Sequence, residues 1–150
     1  MSDTELAKRL AEDQKTALKA GDKIRVATLR LVSSELTNKR IELGRDPEED
    51  EIIAILSKGQ KQRREAEEQY REAGRGELAD KEAAEAAIIG EYLPEPLDDA
   101  SLAQLIDVAI SETGAETLGD MGAVMGRLMP EVRGRVDGSV VSARVKERLG

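Results

Sequence analysis

The chain has 150 residues, 23 of them basic and 31 acidic, and a net charge of −8. It has no cysteine and no histidine. That removes disulfides, thiolate nucleophiles, zinc–thiolate sites and the usual base near neutral pH. Phe and Trp are also absent, so a core must come from Leu, Ile, Val, Met and Ala, and with 36% charged residues this points to packed helices rather than a sheet.

From the start of the chain, Ser2 with Glu5 forms a capping box for a first helix lined by Leu6, Leu10, Ala17 and Leu18 and closed by Gly21. Asp22 caps a second helix running to Gly44. Its apolar residues, among them Ile24, Val26, Leu29, Leu31, Val32 and Leu36, lie on more than one face, which places it in the centre of a bundle. Asp46, followed by Pro47 and a box glutamate, starts a third and longest helix. There Ile52, Leu56, Gly59, Arg63, Ala66, Tyr70 and Ala73 alternate steps of four and three, a heptad seam. Gly59 on it predicts a close neighbour, and Arg63 predicts a side chain reaching out from the core edge. Lys58, Lys61, Arg63 and Arg64 precede Glu65, Glu67 and Glu68, which reads either as pairing on a solvated face or as a ligand patch.

Gly74 ends that helix, and a fourth spans about Glu77 to Tyr92, with Leu78, Ile88, Ile89 and Tyr92 as its apolar content. The two prolines of Tyr92-Leu93-Pro94-Glu95-Pro96-Leu97 force an extended segment, the clearest boundary in the chain. Two domains are therefore expected, 1–93 and 94–150. Asp98 caps the next helix, with Leu102, Leu105, Ile106, Ala109 and Ile110 buried and Gly114 as its stop. Thr117 and Asp120 open another, whose Leu118, Met121, Val124, Met125, Leu128 and Met129 share a face and which Pro130 should end. After the connector Val132-Arg133-Gly134-Arg135, Asp137 caps a last helix with Val141, Val145 and Leu149 on one side. The expected fold is all-α, with an N-terminal bundle of about four helices and a smaller C-terminal three-helix domain.

Residues 121–150 stand apart in charge. Arg127, Arg133, Arg135, Arg144, Lys146 and Arg148 face only Glu131, Asp137 and Glu147, a balance of +3 in an otherwise acidic chain. Gly119, Gly122 and Gly126 lie at or in a helix, although an interior glycine costs about 1 kcal/mol against alanine. Either another helix crosses there, or a nucleic-acid backbone lies against the bare turns beside Arg127, Arg133 and Arg135. Phosphate-cradling loops of the GxxxxGK[ST] or GxGxxG type are missing. Ser57 with Lys61 and Ser142 with Lys146 stand at four-residue spacing but have no glycine-rich oxyanion motif. No catalytic residue, metal site or cofactor is assigned.

Asp120-Met121-Gly122-Ala123-Val124-Met125, then Gly134-Arg135-Val136-Asp137-Gly138, Val141-Ser142 and Val145-Lys146 together resemble the YqeY family of small bacterial proteins. Lys61-Gln62-Arg63-Arg64-Glu65, Ala73-Gly74-Arg75 and Tyr92-Leu93-Pro94 extend the resemblance along the whole chain. That family is similar to the C-terminal tail of the B subunit of tRNA-dependent amidotransferases. Relative to that tail, one helical turn is inserted near Leu128 to Arg133. The resemblance implies an accessory tRNA-binding protein related to glutamine-dependent carbon–nitrogen ligation, not catalytic alone, working beside a tRNA-charging or amidating enzyme. The nucleic-acid contacts would be Gly122, Gly126, Arg127, Arg133, Arg135, Arg144 and Lys146, with Lys58, Lys61 and Arg64 as a second candidate group. A protein–protein adaptor without RNA is the alternative, favoured by the net acidity, because RNA binding normally comes with a basic surface. No apolar run is long enough to cross a bilayer, and Met1-Ser2-Asp3-Thr4-Glu5 does not read as a signal peptide, so a cytoplasmic location without membrane attachment is expected.

Overall fold

The computed structural model describes residues 4–150, and within them the fold is all-α: seven helices and one short 3-10 turn, with no strand. The chain divides into two compact units, the first ending at Leu93 and the second spanning Pro94–Gly150.

The first unit holds α1 (Glu5–Ala20), α2 (Lys23–Leu43), α3 (Glu49–Glu72) and α4 (Gly76–Gly90). Thr4 caps α1 by accepting the Ala7 amide at 3.1 Å, whereas the expected Ser2 cap lies outside the described residues. Gly21 closes α1 at φ 72, a left-handed conformation that costs a residue without a Cβ nothing. Leu6, Leu10 and Ala17 of α1 are buried, but Leu18 is 60% exposed, so the apolar face is narrower than its sequence implied. Asp22 caps α2 through the Arg25 amide, and Gly44 ends it. α2 packs on α1, α3 and α4 through Val26, Leu29 and Val32, while its second apolar face, with Ile24 and Leu31, is exposed. The expected central position holds for one face only.

α3 begins later than Asp46 would have it. Glu48 is the N-cap, and the Glu51 carboxylate accepts the Glu48 amide at 3.0 Å and is gripped by Arg45 at 2.8 Å. This Arg45–Glu51 clamp outweighs the aspartate–proline signal, and Pro47 stays ahead of the first turn. Ile52, Leu56 and Gly59 of the predicted seam are buried, and the seam faces α4. α4 presents Ala79, Ala86 and Ile89 to it, while Leu78 is 39% exposed. The helices come close enough at Gly90 that a Cβ there would sit 2.8 Å from the Gln60 side chain, which itself donates to the Ala86 carbonyl.

The second unit holds α5 (Asp99–Thr113), the 3-10 turn (Leu118–Asp120), α6 (Met121–Val132) and α7 (Gly138–Leu149). Its core is Leu102, Ile106, Val124, Leu128, Val141 and Val145, all buried, with Met121, Met125 and Met129 packed against them. Asp98 caps α5 by accepting the Ser101 amide at 2.7 Å, and Asp137 caps α7. Leu118 is 46% exposed, because the tighter 3-10 pitch rotates it off the α6 face. Pro130 does not end α6, which runs two residues past it to Val132. A proline removes the bond from its own nitrogen to the carbonyl four residues back and crowds that carbonyl. Here that carbonyl belongs to the exposed Gly126, where water can take the vacant acceptor. Gly134, at φ 78, makes the turn between α6 and α7 as expected.

Candidate nucleic-acid interface

Gly122, Gly126 and Pro130 recur at four-residue steps and are all exposed, so they form one bare stripe along α6. A Cβ placed on Gly122 or Gly126 would meet nothing within 4 Å, and on Gly119 only its neighbour Thr117 at 3.5 Å. Among the described residues of this unit, no helix crosses these glycines, so packing within the unit does not explain them. Asp120 secures the approach to the stripe. Its carboxylate accepts the amides of Glu116 and Thr117 at 2.9 and 3.1 Å, and these bonds hold it below the usual carboxylate range.

The basic residues of this unit are dispersed and largely engaged. Arg127 meets Glu112 of α5 at 2.6 Å and Glu131 at 3.5 Å, and this pairing raises its already high pKa. Arg144 meets Asp99 at 2.7 Å, and Arg148 pairs with Asp107. Asp99 and Glu112 stand thirteen residues apart on α5, about 20 Å of helix, so Arg127 and Arg144 are tied to opposite ends of it. Arg135 is half-buried and donates through Nε to the Glu95 carbonyl at 2.8 Å, while its own carbonyl accepts the Leu97 amide at 3.2 Å. Arg133 is half-buried beside it in the connector, and Lys146 projects from the exposed side of α7. Counted over residues 94–150, ten acidic residues outweigh six basic ones, a balance of −4. The +3 of the last thirty residues is thus offset within the same unit by α5 and its flanks.

On α3, Lys58, Lys61 and Arg64 are all exposed, and Arg64 lies 3.6 Å from Glu67. The neighbouring Arg63 turns inward, its side chain 12% exposed, and its Nε sits 3.2 Å from the Glu85 carboxylate, which is 8% exposed. The approach is too poorly aligned for an Nε hydrogen bond, but Arg63 Nη1 donates to the Gly59 carbonyl at 3.1 Å. Sequence reasoning missed Glu85, although it shares the buried face of Ile88, Ile89 and Tyr92 at helical spacing. At the end of α4, Tyr92 donates to Asp13 at 2.5 Å under the guanidinium of Arg9, and Arg25 grips Glu91 at 3.0 and 3.3 Å.

These features define a small, all-helical protein of two units: a four-helix bundle, and a three-helix unit with an exposed glycine stripe on α6. A family model described as Yqey-like protein matches residues 7–149, and the chain belongs to that family. It is also 28% identical, over 95% of its length and 80% of the relative's, to a protein of Pyrenophora tritici-repentis (strain Pt-1C-BFP) called Altered inheritance of mitochondria protein 41, mitochondrial. Among the described residues, no helix is long and apolar enough to cross a membrane.

Proposed function

We propose that the chain is an accessory tRNA-binding protein acting beside a glutamine-dependent amidating or tRNA-charging enzyme in the cytoplasm, with the α6 stripe as its contact surface. The observation that carries this reading is the open space over Gly122 and Gly126. Two glycines in a helix lower its stability, and helix packing, the ordinary compensation, is missing at both. A ligand backbone pressed against the bare turns would supply it, with Arg127 and Lys146 as flanking cations and Arg133 and Arg135 in the connector. A second reading, a protein adaptor without RNA, is favoured by one specific observation: Arg127, Arg144 and Arg148 already hold carboxylates of their own unit.

Fluorescence anisotropy with total tRNA at two salt concentrations separates the readings. The expected result is micromolar affinity at best, with a slope of roughly −0.7 to −0.9 per phosphate contact. Gly122→Glu with Gly126→Glu should abolish binding while leaving the helix intact, since glutamate is a good helix former and both positions are open. Absence of binding by the parent chain at low salt would leave the adaptor as the survivor. Binding that ignores the double change would move the contact to Lys58, Lys61 and Arg64.

A further inference from the structure

α2 carries a second, outward pattern that the bundle does not use. Ile24, Ala27, Leu31, Ser34, Asn38 and Ile41 alternate steps of three and four over about 26 Å of helix, and all six are exposed. Ile24 is 44%, Leu31 49% and Ile41 73% exposed, on the side opposite the buried Val26, Leu29 and Val32. In heptad terms Ile24, Leu31 and Asn38 occupy a positions, and Ala27, Ser34 and Ile41 occupy d positions. The flanks are sorted by sign. Lys23, Arg30 and Thr37 fall at g, and Thr28, Glu35 and Glu42 fall at e. Arg30 and Glu35 are exposed, and neither is among the residues engaged by an interaction within the described chain.

We propose that this face pairs in parallel with the same face of a second copy of the chain, Arg30 of each copy meeting Glu35 of the other. The charges choose both the occupant and the direction. Parallel pairing sets each g residue against the e residue five positions on in the other copy, which is Arg30 against Glu35, twice by symmetry. Antiparallel pairing sets g against g and e against e, bringing like charges together along both flanks. Asn38 adds a reason, since a lone asparagine at an a position selects a two-stranded, in-register pair at some cost in affinity. The small Ala27 and Ser34 at d keep the seam thin, so the pairing is expected to be weak and reversible. The proposal is independent of the tRNA reading.

Sedimentation equilibrium of the full chain from about 1 μM to about 1 mM should show a reversible monomer–dimer equilibrium. Leu31→Lys, at an exposed position that leaves the helix and bundle core intact, should weaken it at least tenfold. Arg30→Glu alone and Glu35→Arg alone should each weaken it, and the two together should restore it. The chain has no cysteine, so Leu31→Cys and Asn38→Cys each introduce a single thiol. In a parallel pair both variants should oxidise to disulfide-linked dimers, because each a residue faces its own counterpart. An antiparallel pair can bring at most one of those two levels to the two-fold axis. A monomer at every concentration, dimerisation indifferent to Leu31→Lys, or cross-linking at only one position would each overturn the proposal.

Discussion

Arg63 and Glu85 place an ion pair between α3 and α4, with both side chains nearly out of water. Removing one member of such a pair leaves an uncompensated buried charge, whereas replacing both by apolar groups of similar volume is close to neutral. Glu85→Ala should therefore cost about 3–5 kcal/mol in urea unfolding, and Arg63→Met with Glu85→Leu far less. Equal losses from the two variants would show that the pair itself, rather than the orphaned charge, sets the stability. Tyr92 marks the alkaline limit. Its burial first, then its hydrogen bond to the Asp13 carboxylate and that group's charge, raise its pKa well above the ordinary value, against the smaller opposing effect of Arg25 and Arg9. The folded state thus holds this proton more tightly than the unfolded chain. Its contribution is complete below about pH 10 and fades as pH rises further. Stability measured across that range should fall less steeply in Tyr92→Phe than in the parent chain.

Among the elements, α6 departs most from ordinary helix design. Gly126 has a helical backbone and nothing above it, so Gly126→Ala should stabilise the chain by about 0.5–1 kcal/mol. If α6 serves as a contact surface, the same change should weaken tRNA binding, opposing the gain in Tm. The helix starts respond to acid. Glu51, held by Arg45 and by the Glu48 amide, and Asp98 and Asp120, held by backbone amides at the start of α5 and before α6, all ionise below the usual carboxylate range. Their contribution is present above about pH 4 and is lost as pH falls through their depressed values. Carboxyl titration by NMR should place all three below the usual carboxylate range. Most of this was legible in the sequence, because caps and glycine stops are local: Asp22, Asp98, Asp137, Gly21 and Gly114 stand where their chemistry requires. What misled was decided over distance. Pro130 stays in its helix because the carbonyl it leaves without a donor, that of Gly126, is open to water. The α3 start belongs to Glu48 because Arg45 reaches Glu51, and the α2 face bearing Leu31 reads as core until its neighbours are known.

At the scale of the molecule, charge was the least legible property. The positive balance of the last thirty residues is real in the sequence, yet it is cancelled by Asp99, Asp107 and Glu112 on the preceding helix, a pairing that only the packing of α5 on α6 and α7 creates. We also propose that the units fold separately. Each has its own apolar core, and the hinge is shorter than the two prolines imply, since Tyr92 is bonded into the first unit while Glu95 and Leu97 are bonded to Arg135 in the second. A fragment of residues 94–150 should be helical and fold cooperatively but with marginal stability, as expected for a core drawn from so short a chain. A fragment that stays unfolded by circular dichroism would mean that the second core depends on the first.

The positions of Tyr70 and Tyr92 give these units different optical visibility. Both tyrosines belong to the first unit and there is no tryptophan, so the second unit holds no aromatic chromophore. Intrinsic fluorescence and near-ultraviolet dichroism report the four-helix bundle alone, while far-ultraviolet dichroism reports both units. Two unfolding midpoints from the two kinds of probe on one sample would register separate melting without any label.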